Sequence, residues 1–266
     1  QFQQRIEGQN LQGFAKGSSD AKPFAVSFYV KGNASATYAC ELFDRDNTRQ
    51  ASKLFNVTTD WTRVELTFDK DTTGAFDDDN ARSLDLTIFL HAGSDYTSGT
   101  LNQSFASTTN ANRAVGISSF FDSTDRTFFI TGVQLEVGQN PTSFEHEPFE
   151  RTLAKARRYF YREVDDDGVL FSWVGFNDNT TQAYLQHPHP VEMRAEPSMT
   201  ATGTAGDYSL RITGNTIGLN QVPTLSGSNR RVGHVLWQCA SGLTAGHAIV
   251  GKHDAADVFL DWSAEL

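Results

Sequence analysis

The chain has little cysteine, few basic residues and no long apolar run. Its 266 residues include two cysteines, Cys40 and Cys239, which excludes a disulfide framework. The chain contains 22 Lys and Arg residues and 32 Asp and Glu residues, and its net charge is −10. Nucleic-acid binding normally leaves a basic surface. No run approaches the ~20 apolar residues of a membrane span. We therefore expect no nucleic acid partner and no membrane insertion.

Catalytic and metal-binding motifs are also missing. The sequence has no G-x-S-x-G, no phosphate-binding loop and no H-E-x-x-H. His187 and His189 could offer two imidazoles to a metal, but alternate residues of any strand share a face, and the flanking prolines favour a bend. The acids around His146 lie at a predicted helix start, where acids are favoured. We expect a chain that is not an enzyme, with no cofactor and no metal.

Alternating apolar and polar residues predict many short strands. In 24–30, for example, every second residue from Phe24 to Val30 is apolar, and in 61–68 we expect Trp61, Val64, Leu66 and Phe68 in the core. Two domains are expected from the length. Short strands with polar loops predict an all-β fold, an antiparallel jelly-roll sandwich followed by a second small β-rich domain. The predicted strands are 24–30, 36–43, 53–58, 61–68, 84–90, 115–121, 127–137, 169–175, 181–187, 197–202, 207–213, 215–219, 231–239, 247–251 and 257–264.

One short helix is predicted between the two β-domains. Apolar residues recur there at steps of four, three and four, the spacing of a narrow helical seam. The seam either lies on a sheet of its own chain or meets copies of itself in an oligomer, and the spacing leaves both open. Its residues are Phe149, Leu153, Ala156 and Phe160.

The change of periodicity also sets the domain boundaries. We expect a jelly-roll domain over 1–146, a connecting helix over 147–163 and a C-terminal β-domain over 164–266. An acidic turn, Asp165–Gly168, opens this last domain.

Two loops share the pattern D-x-D-N-x-R, at Asp44–Arg49 and Asp77–Arg82. Alternate carboxylates can present oxygen ligands to calcium or line a saccharide-binding rim. The commoner alternative is a pair of Asx turns with local Asp–Arg pairs, because Asp and Asn hydrogen-bond their own turns. No glycine or distal glutamate completes a helix–loop–helix calcium site, so we favour the turns.

The second domain combines acidic charge with aromatic and histidine residues. Residues 163–266 contain 12 acids, 5 bases and five of the seven histidines. Saccharide-binding surfaces combine aromatic faces with polar groups, because a sugar offers both C–H patches and hydroxyls. In a small β-domain, however, most tryptophans belong to the core. The candidate glycan-binding residues are Trp173, Tyr184, His187, His189, Trp237 and His253.

Several segments resemble one family in the same order. Residues 130–160 read ITGVQLEVGQNPTSFEHEPFERTLAKARRYF, which is similar to the junction of bacteriophage tail fibres and receptor-binding proteins, with its ITGVQLE-x-G strand, T-x-FEHR and L-x-x-CQRYY helix. Upstream, QRIEGQNLQGF, KPFAVSFYVKG and DTTGAFDDDNARSLDL resemble the carbohydrate-binding-module-like jelly roll before that junction. HPVEMRAEPSM and VFLDWSAEL resemble, more loosely, the small β-domain after it.

The resemblance implies a non-catalytic adhesin in the virion tail fibre, outside the cell, that binds a bacterial surface polysaccharide or lipopolysaccharide. It implies a homotrimer attached to other tail proteins, and so favours a seam between chains. Where the family helix carries a cysteine, this chain has Lys155 or Ala156 instead. Where the family has an arginine before the helix, this chain has Glu147. Its opening strands are not found before Gln1, so we expect an N-terminally incomplete jelly roll. Two alternatives stay open: a carbohydrate-binding module of a secreted glycan-degrading enzyme, and a depolymerising tailspike.

Overall fold

The structure, a computed structural model, describes residues 1–163 and 171–266. Strands account for 43% of the residues and helices for 11%, in several antiparallel sheets. The predicted all-β fold class is therefore confirmed. The chain divides into two compact units, a first unit of Gln1–His146 and a second unit of Glu147–Glu265.

The first unit is a sandwich of two antiparallel sheets. One sheet has the strand order β1-β6-β3-β4-β7 and the other the order β5-β2-β8. The second α-helix of the chain belongs to the second unit. The elements of the first unit are β1 (Phe2–Glu7), β2 (Phe24–Gly32), β3 (Ala36–Asp44), β4 (Arg49–Val57), β5 (Thr62–Phe68), β6 (Arg82–Phe89), a single-turn helix α1 (Ser94–Thr97), β7 (Ala106–Ser107) and β8 (Phe128–Val137).

The core of the first unit lies between its two sheets. Phe24, Val26, Phe28 and Val30 are fully buried there, as the alternation of β2 predicts. Phe14 stacks on Phe24 with ring centroids 4.0 Å apart. Each such fully buried side chain contributes roughly 1.5–3 kcal/mol to folding.

Ala92, Tyr96, Ala114 and Ile117 form a small separate cluster with Ala39 of β3 and Phe89 of β6. Arg113 forms a two-bonded ion pair with buried Glu41, at 2.7 Å for both bonds, and its guanidinium lies 4.8 Å from the centre of the Phe43 ring. The predicted strand at 115–121 is wrong. Gly116 has φ +91°, a conformation outside the β region, and Phe120–Asp122 forms a 3-10 turn.

The second unit also contains two antiparallel sheets, with its core between them. The larger has the order β14-β13-β17-β10-β11-β16-β15, and the smaller the order β12-β18-β9. Its elements are α2 (Phe149–Arg157), β9 (Phe160–Glu163), β10 (Phe171–Asn177), β11 (Gln182–Pro188), β12 (Ser198–Ala201), β13 (Tyr208–Ile212), β14 (Asn215–Gly218), β15 (Thr224–Ser228), β16 (Val232–Gln238), β17 (Ala248–His253) and β18 (Leu260–Ser263).

The helix is shorter than the predicted 147–163. It ends at Arg157, and Phe160 begins strand β9. In β9, Tyr161 pairs with Trp262 of β18, so residues 160–163 belong to a sheet. The predicted turn at 165–168 and the first two residues of the predicted strand 169–175 lie outside the described residues.

Candidate functional site

Five of the six candidate glycan-binding residues come together inside the second unit. Trp173, His187, Trp237 and His253 are at most 3% exposed, and His189 is partly buried. The Trp173 ring lies 4.9 Å from His187, 5.3 Å from Trp237 and 5.9 Å from His253. Strands β10, β11, β16 and β17 turn the side chains of these four buried residues into the core. Their burial disagrees with the predicted role in binding a glycan at the surface.

Glu163 is the hub of this cluster, and the sequence did not single it out. Its Oε2 accepts hydrogen bonds from Trp262 Nε1, at 3.2 Å, and contacts His187 Nδ1 at 3.0 Å. Its Oε1 accepts one from Trp173 Nε1. The carboxylate thus satisfies polar groups that aromatic rings carry into the core, where an unpaired donor would be costly.

The electrostatics of the cluster favour an ionised Glu163. Burial alone would raise the pKa of Glu163, but the hydrogen bond and charge of His187, with the two indole donors, hold it below its ordinary value. Burial lowers the pKa of His189, which shares a 2.8 Å hydrogen bond with the Tyr161 hydroxyl. The cluster is a structural network that joins the two sheets, and its buried members are closed to a ligand.

The sixth candidate, Tyr184, lies on the outer face of the seven-stranded sheet. Its partners there are Val174, 64% exposed, and Phe176, 50% exposed, together with Gln186 and Leu236. The Phe176 and Tyr184 rings lie 6.1 Å apart, and these residues pair directly in the sheet, as do Tyr184 and Leu236. We call these five residues the Tyr184 face.

The Tyr184 face follows from strand alternation. Trp173, Leu185 and Trp237 point into the core, so their neighbours along β10, β11 and β16 point outwards. None of the five residues of the face is charged, although the second unit is acidic. Two rings beside the exposed Gln186 amide form an apolar surface with a polar edge, which suits a neutral polyhydroxylated ligand.

A second exposed aromatic group lies on the three-stranded sheet of the first unit. Trp61 was expected in the core, but it is 49% exposed, and Phe129 is 48% exposed. The Lys31 ammonium lies 5.4 Å from the centre of the Trp61 ring and 5.3 Å from that of Phe129, a cation–π arrangement. This Trp61 platform therefore presents a cation against its rings.

The candidate oligomer seam is open to solvent in a single chain. Phe149 is 73% exposed and Phe160 is 38% exposed, while Ala156 is exposed and Leu153 is partly buried. Phe160 belongs to β9, so the helical part of the seam is limited to the other three residues. No residue of α2 is buried within the described part of the chain.

The two D-x-D-N-x-R loops form hydrogen-bonded turns. Asp44 Oδ1 accepts from the Asn47 N–H at 3.0 Å, and Asp79 Oδ1 accepts from the Ala81 N–H at 2.9 Å. These are Asx-type turns, as the sequence favoured, but Arg45 and Arg82 pair with Asp85 and Arg49 pairs with Asp71, outside the two loops. In the described parts of the chain, no group of three or more His, Cys, Asp or Glu residues is placed to hold a metal ion.

No helix in the described residues is long and apolar enough to cross a membrane. Comparison with the models of known protein families and with curated proteins finds no match for this chain.

Proposed function

We propose that the chain is part of a bacteriophage tail fibre that binds a bacterial surface polysaccharide or lipopolysaccharide without cleaving it, as a homotrimer attached to other tail proteins. The proposal places the chain in the virion, outside the cell. It rests on the resemblance of residues 3–162 to that family. The observation that carries the glycan-binding part is the Tyr184 face.

The chemistry of the Tyr184 face favours neutral sugar residues. A pyranose presents C–H groups on its faces and hydroxyls at its edge, which match the Phe176 and Tyr184 rings and the Gln186 amide. The Trp61 platform is the weaker candidate for stacking, because the Lys31 ammonium already lies against both of its rings.

The exposed apolar residues of α2 support the oligomeric part. Phe149 and Leu153 are one helical turn apart on a helix in which no residue is buried, and a second and third copy would bury them. A trimer presents three copies of each glycan site, which raises the apparent affinity for a repeating polysaccharide through effective concentration.

A glycan array with the full chain tests the proposal. We expect wild type to bind a subset of bacterial surface saccharides, and Tyr184→Ala to bind the same subset about tenfold more weakly, a loss of ~1.4 kcal/mol. Trp61→Ala is the matched control, since it removes an exposed aromatic side chain from the other unit. Loss of binding in Trp61→Ala alone would move the site to the first unit, and equal binding by all three proteins would contradict the Tyr184 face.

The two alternatives differ from the proposal in measurable ways. A depolymerising tailspike would release new reducing ends from the bound polysaccharide, and the release would disappear when one acid of a carboxylate pair is replaced. A carbohydrate-binding module of a secreted enzyme would bind glycan as a monomer. We expect neither reducing ends nor a monomer.

A further inference from the structure

The most unusual charged group outside the candidate sites is a fully buried ammonium in the first unit. The Lys16 side chain has no solvent exposure, and neither has that of Asp44. Four oxygens surround the Lys16 Nζ. They are Asp44 Oδ2 at 2.6 Å, the Gly74 carbonyl at 2.7 Å, the Thr73 carbonyl at 2.8 Å and Asp71 Oδ2 at 3.2 Å. We call these four atoms the oxygen cage.

The cage contains more acceptors than the ammonium has protons. A lysine ammonium has three protons and donates three hydrogen bonds. It can therefore form directional bonds with at most three of the four oxygens that lie within 3.2 Å. Two carboxylates and two backbone carbonyls are the ligand types that calcium takes in proteins, in a flexible arrangement at 2.3–2.6 Å. The cage therefore has the composition of a hard-cation site, and the Lys16 ammonium is its cation.

The surrounding contacts hold the cage together from three separate segments. Arg49 donates to both oxygens of Asp71, at 2.7 and 3.1 Å. Asn47 donates to Asp44 and to the Ala75 carbonyl, which ties the loop after β3 to the loop that supplies the two cage carbonyls. Burial alone would raise the pKa of Asp71, but its hydrogen bonds from Arg49 and Thr73 and the charge of Lys16 hold it below its ordinary value.

We propose that the oxygen cage is a calcium-type site in which the Lys16 ammonium takes the place of the metal ion, and that Ca²⁺ binds there once the ammonium is removed. In wild type the buried ammonium and the Arg49 guanidinium together neutralise the two carboxylates, so the loops of the first unit close without a metal. Without the ammonium, the Arg49 guanidinium, which pairs with Asp71, balances one of the two carboxylate charges, and a divalent cation supplies the missing positive charge. The four protein oxygens leave further coordination positions for water.

Isothermal titration calorimetry with CaCl₂ tests the proposal on the Lys16→Ala variant of the full chain. We expect Lys16→Ala to bind one more Ca²⁺ per chain than wild type, in the ~10⁻⁴–10⁻³ M range of weak sites in extracellular modules. Lys22→Ala, which removes an exposed lysine, is the control and should titrate like wild type. The double variant Lys16→Ala/Asp71→Asn should lose the additional Ca²⁺. Mg²⁺ should bind more weakly, because it demands a tighter octahedral site.

Thermal unfolding gives a second readout, which can be used even if the variant does not fold without Ca²⁺. The melting temperature of wild type should be the same in EDTA and in about 10 mM CaCl₂, a concentration above the expected dissociation constants. Lys16→Ala should melt lower than wild type in EDTA and regain several degrees with Ca²⁺. If Lys16→Ala does not fold in EDTA, Lys16→Ser is measured beside it, and both should refold with Ca²⁺. A wild type that needs Ca²⁺, or variants that neither bind nor respond to it, would overturn the proposal.

Discussion

Removing the Glu163 carboxylate should destabilise the second unit strongly. In Glu163→Ala, the indole N–H groups of Trp173 and Trp262 and the His187 Nδ1 lose their common partner. A buried donor without an acceptor costs about 1–3 kcal/mol. The Glu163 side chain is 26% exposed, so water can reach part of the site, and we take about 1 kcal/mol for each donor. The expected loss is ~3 kcal/mol in the free energy of unfolding, or ~10 °C in melting temperature for a domain of this size.

Tryptophan fluorescence during urea unfolding measures this loss, because Trp173, Trp237 and Trp262 lie in the second unit and Trp61 is exposed in the first. Asp257→Asn removes an exposed carboxylate of the same unit and should change the unfolding free energy by less than about 0.5 kcal/mol. A Glu163→Ala variant within ~1 kcal/mol of wild type would refute the idea that this carboxylate satisfies the core donors.

The pH dependence has a defined sign. The pKa of Glu163 is lowered in the folded state, so its contribution is fully present above the ordinary carboxyl pKa of about 4.3. It is lost as the pH falls through the lower folded value. The difference in stability between wild type and Glu163→Ala should therefore shrink as the pH falls from about 5 towards 3. A difference that grows as the pH falls would contradict this assignment.

Three further predictions concern the fold and the seam. Arg113→Ala leaves the buried Glu41 carboxylate without its ion pair and should destabilise the first unit by about 3–5 kcal/mol in urea unfolding; a change under ~1 kcal/mol would contradict the pairing. Gly233→Ala places a Cβ 2.0 Å from the Trp262 ring, so it should lower the melting temperature and shift the indole emission, and unchanged emission would argue against that contact. Leu153→Asp should give a folded monomer by light scattering with an unchanged circular dichroism spectrum, whereas a trimeric variant would remove the helix from the interface.

Alternation along single strands predicts the side of a sheet well. The inward residues of β2 are buried, as their apolar period indicates. Alternation does not predict what covers each side, because that depends on contacts between distant segments. Trp61 is out of phase with the inward residues Val64, Leu66 and Phe68 and is exposed just before β5, whereas Trp173 is buried in the core of its unit.

The helix boundary fails for a related reason. Phe160 continues the helical spacing of Leu153 and Ala156, so local periodicity extends the helix through it. The structure ends the helix at Arg157, because the next residues pair with β18 near the other end of the chain. Pairing over about a hundred residues leaves no local signal.

The polar centres were hidden from sequence in the same way. Lys16 lies in a loop without periodicity, and its partners Asp44 and Asp71 are distant in the chain. Glu163 looked like one more acid after the helix, although its three partners come from β10, β11 and β18. Their spacing in sequence carries no motif, so only the folded chain brings them together.

The mass of the full chain in solution tests the central claim of a trimeric adhesin most directly. Multi-angle light scattering should give three times the chain mass of 29.4 kDa at concentrations where Leu153→Asp gives one chain mass. A wild-type protein with the mass of a single chain would contradict the account and favour a monomeric carbohydrate-binding module.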